Sequence, residues 1–203
     1  MTDIYPDISG YDDVWAHGVY HCLFCDGFED RDSDSAGVLA IGDIAKLPPA
    51  LHLSRMAKRL AKRVIIYTDG CSELEKQIAA AVGNDKAITL DNRRVACLEK
   101  VKPDSSEVRL YFEDGSSALH GFMVHKPKSK VSGPFVDQLS LEMSEMGVIK
   151  TSQLFYETSV PGVFAVEDCA APMPAVTNAL AMGAFAAGDL VAQLGAEPVL
   201  AAL

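Results

Sequence analysis

The sequence predicts an α/β fold built on a parallel sheet, and three observations carry that prediction. The short apolar run G-V-L-A-I-G at 37–42 is followed by a proline-opened amphipathic stretch and then by the β-branched and aromatic run V-I-I-Y-T at 64–68. Strand, helix and strand at this spacing form a βαβ unit, because parallel neighbours need a crossover of a dozen or more residues. A second alternation follows, with S-E-L-E-K-Q-I-A-A-A-V (72–82) as helix and A-I-T-L (87–90) as strand. The third observation is bulk: 203 residues, 49% of them hydrophobic, are enough for a proper core.

Taken in order, residues 1–20 are a polar, turn-rich lead-in with little periodicity. The first helix opens at Pro48, where proline suits a first turn. Its basic end, Lys58, Arg59, Lys62 and Arg63, suits the negative pole of a helix dipole. E-V-R-L-Y-F (107–112) and A-L-H-G-F-M-V-H (118–125) flank an Asp-Gly pair and read as an antiparallel hairpin. Residues 126–134, with Lys126, Lys128 and Lys130, form a solvated loop and a lobe boundary. V-P-G-V-F-A-V-E-D-C-A-A-P-M-P (160–174) is a strand running into a turn, and 175–194 is a long helix dense in small residues. The expected organisation is a lead-in at 1–35, a lobe at 36–125 and a C-terminal lobe at 126–203.

The net charge of -10 argues against nucleic acid and anionic lipid as partners. The acidic start carries no secretory signal, and no unbroken run of about twenty apolar residues spans a membrane. Five unevenly spaced cysteines do not make a secreted disulfide framework, so a reduced, cytoplasmic protein is expected.

Chemistry concentrates at H-C-L-F-C-D-G-F-E-D-R (21–31). Cys22 and Cys25 either cycle between dithiol and disulfide or are a leftover pair with no current role. A zinc site needs two more ligands, and Cys71, Cys97 and Cys169 are scattered singletons, so no metal is expected. His21 is placed to lower a thiol pKa, and His21 and His125 are the histidines suited to act as a general base at a pocket. His52 reads as a helix-face residue. Trp15 and Tyr20 are packing residues or stack on an aromatic substrate. Glu167 and Asp168 are either an acid–base pair with pKa values pushed apart or a capped, solvated turn.

The order C-x-x-C-D-G, strand-helix-strand, hairpin, then V-P-G-V-F-A-x-x-D-C-A-x-P before a small-residue helix resembles the thioredoxin reductase superfamily. H-C-L-F-C-D-G-F-E together with A-L-H-L-S-R-M-A-K is similar to its fungal branch, the gliotoxin-type dithiol oxidases of secondary metabolism. The resemblance implies a Rossmann-like core of the pyridine nucleotide-disulfide oxidoreductase type, with a remnant of a flavin lobe. It implies that Cys22 meets the substrate, that Cys25 lies toward a flavin, that Asp26 handles protons and that Asp168 binds the flavin's ribityl or phosphate region. FAD is the cofactor so implied.

Three departures work against those cofactors. Nothing in residues 1–36 supplies the G-x-G-x-x-G fingerprint, so the front half of a flavin lobe is absent there. Glu167 stands where the family has glycine beside Asp168, bringing a negative charge toward cofactor phosphates. Ala40 and Ile41 stand where the first two glycines of the nucleotide loop fall, leaving Gly42 alone, and Tyr67, Thr68 and Asp69 replace the arginines of NADPH users. NAD(P)H is therefore not expected, and the FAD site is degraded. The expected function is thiol–disulfide oxidoreduction of a small-molecule substrate through Cys22 and Cys25. The alternatives are a cofactor-independent isomerase, cyclase or lyase in the vacated flavin cavity, and a non-catalytic partner of a full-length relative. The apolar final helix predicts a homodimer.

Overall fold

The computed structural model describes residues 1–171 and 174–200, with side chains to Ala196. Its elements are β1 (Thr2–Ile4), α1 (Tyr11–Val14), β2 (Val19–Tyr20), β3 (Ala36–Leu39), α2 (Leu47–Ala57), β4 (Val64–Tyr67), α3 (Ser72–Val82), β5 (Ile88–Asp91), β6 (Val95–Lys100), β7 (Val108–Phe112), β8 (Ser117–His120), β9 (Phe122–Val124), β10 (Lys128–Lys130), α4 (Phe135–Gln138) and α5 (Val176–Leu200). They fall into two compact units, Ile4–Lys128 and Ser129–Leu203 with Met1–Asp3.

The unit Ile4–Lys128 is α/β and Rossmann-like. Its central sheet has the order β2-β9-β3-β4-β5, with every pairing parallel. Side chains alternate between its faces, as the two-residue period of a strand requires. Val38, Ile66, Phe122 and Val124 pack with Ala50, Leu51, Ala57, Leu74 and Ile78 of α2 and α3. Leu39, Tyr67 and Met123 point the other way, onto Val95, Leu98, Val108, Leu110 and Phe112 of the antiparallel sheet β6-β7-β8. Helices, parallel sheet and antiparallel sheet thus form three layers, with the central strands covered on both sides.

Several expectations are corrected. The lead-in belongs to the core: Tyr11, Val14 and Val19 are buried in the second cluster, and β2 joins the parallel sheet beside β9. The expected hairpin stops at His120. β8 pairs with β7, and after Gly121 the chain crosses to the parallel sheet as β9, where Phe122, Met123 and Val124 are all buried. β6 is a strand that was not expected; it pairs antiparallel with β7. Of the basic residues assigned to the end of α2, only Lys58 sits at the C-cap, where it also meets Asp85 at 2.5 Å; Arg59, Lys62 and Arg63 lie beyond the helix.

The unit containing Ser129–Leu203 has a small core of Leu141, Ile149 and Ala165, flanked by Val131, Val136, Val160 and Val163. The strand expected at 160–166 is instead one bridge, Glu157 to Phe164, followed by a single 3-10 turn at Glu167–Cys169. Pro172 and Met173 of the expected turn lie outside the described residues. The final helix runs further than expected, and Val176–Ala196 is long and apolar enough to cross a membrane by length and composition. No unbroken apolar run marks it in the sequence, because Thr177, Asn178, Asp189 and Gln193 interrupt the stretch. Gln193 donates to Asp189 and to Glu157, each at 3.0 Å, which ties the helix to its own unit.

Candidate functional site

The cysteine loop leaves the parallel sheet at the end of β2. Leu23 anchors it by sinking into the helix-side core, while Phe24 points outward at 78% exposure. Gly27 lets the loop fold onto that anchor, since a Cβ there would lie 2.5 Å from Leu23 Cδ2. Cys22 and Cys25 are joined in a disulfide. The Cys25 amide donates to Cys22 Sγ at 3.2 Å, and the Asp26 amide donates to the Cys22 carbonyl at 3.3 Å. Cys25 is exposed and Cys22 half-buried. A backbone N–H on a sulfur favours its thiolate, so Cys22 is the better anion and the better leaving group, while Cys25 is the more open sulfur. Asp26 is exposed at the start of the 3-10 turn Gly27–Asp30.

His21 is exposed, and its ring lies 5.7 Å from Trp15. Trp15 stacks on Tyr11 at 6.0 Å, and Tyr11 meets the edge of His125 at 5.5 Å. An aromatic chain therefore links the end of β9 to the residue before Cys22, a connection sequence spacing could not reveal. His125 is buried at 2% exposure, its Nδ1 2.7 Å from Tyr11 Oη. Burial pushes its pKa down to about 4, offset in part by the Ile41 backbone and the Asp43 charge. Its Nε2 makes no hydrogen bond among the described residues, the Ile41 backbone being near without hydrogen-bonding geometry. As placed, His125 is a neutral core imidazole closed off from solvent. Tyr20 is a packing residue: its hydroxyl donates to Ser106 at 2.9 Å, and burial, with Asp30 and Asp26 adding charge, pushes its pKa up to about 12.

A cavity of about 380 Å³ opens beside Ser35, His120, Ser106 and Glu107. Residues 33–35 precede β3 whereas Cys22 follows β2, so in a parallel sheet this cavity lies at the opposite end of the strands from the disulfide. Ligands of such sheets bind at the carboxyl ends of the strands, which is the disulfide's side.

In the other unit, Glu167 has φ +58°, in the left-handed region that favours glycine. Its Oε1 accepts the Ala175 amide at 2.7 Å, immediately before α5. A side-chain hydrogen bond with Asp168, then desolvation, push the Glu167 pKa up.

No family model matches the sequence. The chain is 43% identical to the thioredoxin reductase aclD of Aspergillus oryzae (strain ATCC 42149 / RIB 40) over 195 residues, covering 96% of this chain and 62% of that protein. With the thioredoxin reductase sirT of Leptosphaeria maculans the identity is 34%, covering 97% and 62%. Among solved structures, HlmI superposes with a TM-score of 0.78 at 25% identity, covering 99% of this chain and 60% of that one. The chain is thioredoxin reductase-like. The putative thioredoxin reductase TrxB of Bacillus anthracis, at 17% identity and TM-score 0.77, shares the fold over 97% of this chain and 63% of its own. This thioredoxin reductase-like chain spans about six-tenths of the length of the curated relatives it matches.

Neither cofactor of such enzymes fits the residues present. At the nucleotide loop Ala40 is buried and Ile41 packs into the core, so the backbone there carries side chains where a pyrophosphate would need bare backbone. Gly42, at φ +56°, is exposed and opens a 3-10 turn. Pro48 and Pro49 fall in the first turn of α2 and remove two of the amides a helix N-terminus would offer to phosphate. Asp69 stands after the second strand of the βαβ unit, where an acidic residue would hold a nucleotide ribose, but it already accepts the Val95 amide at 2.8 Å. At the flavin motif the Glu167 carboxylate takes the Ala175 amide and sets a negative charge beside Asp168. A flavin's phosphates and ribityl chain would meet that charge.

Proposed function

We propose that this chain is a thiol–disulfide oxidoreductase of fungal small-molecule biosynthesis, acting through Cys22 and Cys25. The observation that carries the reading is the exposed disulfide whose inner sulfur is held by a backbone amide. A substrate thiolate attacks Cys25 Sγ, the Cys22–Cys25 bond breaks, and Cys22 leaves with the electron pair and takes up a proton. The substrate's second thiolate then displaces Cys25 from the mixed disulfide. The substrate departs as a disulfide, oxidised by two electrons, and the protein remains as a dithiol. A small disulfide re-oxidises it by the reverse exchange. This order of attack makes Cys25 the sulfur that meets the substrate, the reverse of what the family resemblance implies. Asp26 and His21, the chain neighbours of Cys25 and Cys22, are the residues proposed to take the substrate's thiol proton and to stabilise the thiolate.

The test uses reduced glutathione as probe on the oxidised protein, with acid quenching and mass spectrometry as readout. The trapped mixed disulfide is expected on Cys25, with Cys22 as the free thiol. Adduct formation favouring Cys22 would restore the order implied by the resemblance. Undiminished turnover by a variant lacking both cysteines would sink the thiol reading.

One observation favours a second reading. The Glu167–Asp168 pair, with Glu167 pushed toward its protonated form, suits acid–base chemistry in a cofactor-independent isomerase, cyclase or lyase. That reading requires activity to survive loss of both cysteines and to fail in Glu167→Gln. A cytoplasmic location, residues 129–203 as the remnant of a flavin lobe, and a homodimer through α5 complete the proposal.

A further inference from the structure

The geometry points to Glu167 as the residue that closes the N-terminal end of α5 to a flavin, its own carboxylate filling the seat an anionic cofactor group would take. The proposal rests on the thioredoxin reductase-like assignment and is independent of the thiol chemistry proposed for Cys22 and Cys25.

Two observations carry it. The backbone at Glu167 is left-handed, at φ +58°. A non-glycine side chain is strained there, so the turn keeps a conformation that glycine adopts freely while carrying a residue that does not. The side chain at this strained position is also engaged: Oε1 accepts the Ala175 amide at 2.7 Å across eight residues, so the carboxylate bridges the turn to the start of the helix. The turn closes beneath it, with the Ala170 amide donating to the Glu167 carbonyl at 2.8 Å. A helix N-terminus stabilises negative charge, and here the chain supplies that charge itself. An incoming phosphate or ribityl group would have to displace a carboxylate tethered to the same turn and would stand beside Asp168 as well.

The conformation makes the reversal simple. Because φ already lies where glycine is at ease, Glu167→Gly removes the carboxylate without asking the backbone to move. Glu167→Asn is the second variant, since asparagine tolerates the left-handed region and its shorter neutral side chain does not duplicate the carboxylate's charge.

The experiment titrates the purified full chain with FAD and follows flavin fluorescence anisotropy, with circular dichroism confirming that each variant keeps its helix content. Glu167→Gly is expected to bind FAD about tenfold or more tighter than the wild type, with Glu167→Asn intermediate. Equal affinity in wild type and Glu167→Gly, including no binding by either, would overturn the assignment. Repeating the titration in a background lacking both cysteines separates this outcome from any failure of the thiol reading, because the gain in FAD affinity should persist there.

Discussion

Two buried histidines set the acid limit of the fold, through interactions that can be followed atom by atom. His120 sits between Tyr67 Oη, 2.6 Å from Nε2, and Ser35 Oγ, 2.9 Å from Nδ1, and Ser35 also reaches the Leu119 carbonyl at 3.4 Å. A neutral imidazole satisfies this chain: Tyr67 donates to Nε2, Nδ1–H donates to Ser35, and Ser35 donates to the carbonyl. Burial, with Arg63 adding positive charge, pushes the His120 pKa down to about 4, and burial does the same for His125. Both folded values lie below the unfolded value near 6.5, so the unfolded chain binds protons first as the solution is acidified. The histidines' contribution is fully present above about pH 6.5 and is lost as pH falls toward 4, up to about 3 kcal/mol for each. Urea denaturation at pH 7 and pH 4.5 should show that loss. His120→Phe should lower stability at pH 7 by about 2–4 kcal/mol, because Tyr67 and Ser35 lose their buried partner. It should also flatten the acid slope, and an unchanged slope would contradict this assignment.

At the scale of elements, what could be read in the sequence depended on whether local signals governed the outcome. α3 matches its expected span, Ser72–Val82, because an amphipathic repeat ending at Gly83 is decided locally. β4 was legible because a β-branched run beside a helix has few alternatives. β9 was misplaced because Phe122–Val124 continues the apolar run of β8, and only the partner strands reveal that it crosses to another sheet. Strands buried on both faces lose the alternation that would mark such a crossing. The cysteine pair was legible as a motif, and the Cys25 amide on Cys22 lies within the same loop, but the aromatic chain behind His21 and the closing-off of His125 depend on contacts distant in sequence. The lead-in was misread for the same reason, and Gly10 shows what holds it. Gly10 precedes α1 at φ +73°, and a Cβ there would lie 2.1 Å from the Leu98 carbonyl oxygen of β6. A backbone atom in a sheet cannot move aside. Gly10→Ala should therefore cost about 2–3 kcal/mol and lower the melting temperature by about 5–10 °C, measured by circular dichroism. A change under about 1 °C would mean that the lead-in packs more loosely than its buried residues indicate.

For the molecule as a whole, the decisive feature is the surface of α5. Val176, Leu180, Val191 and Leu194 are 78%, 71%, 70% and 56% exposed. At 3.6 residues per turn they fall on one stripe with Gly183 and Ala187, whereas the buried Met182 and Ala186 lie on a different face. The helix thus packs its own unit with one side and presents a second, continuous apolar side whose small central residues allow close approach of another helix. Contiguous apolar surface of this kind is normally covered, and a second copy brings an identical stripe that can pair with it across a two-fold axis. The expected particle in light scattering is a dimer of about 44 kDa, twice the 21.8 kDa chain. Leu180→Lys combined with Val191→Lys places two charges on that stripe, away from Met182 and Ala186. It should yield a monomer that keeps its helix content, since exposed positions tolerate substitution within about 0.5 kcal/mol each. A wild-type monomer would sink the homodimer. Co-sedimentation of the wild type with neutral phosphatidylcholine vesicles, abolished by the same two lysines, would show instead that lipid covers the stripe.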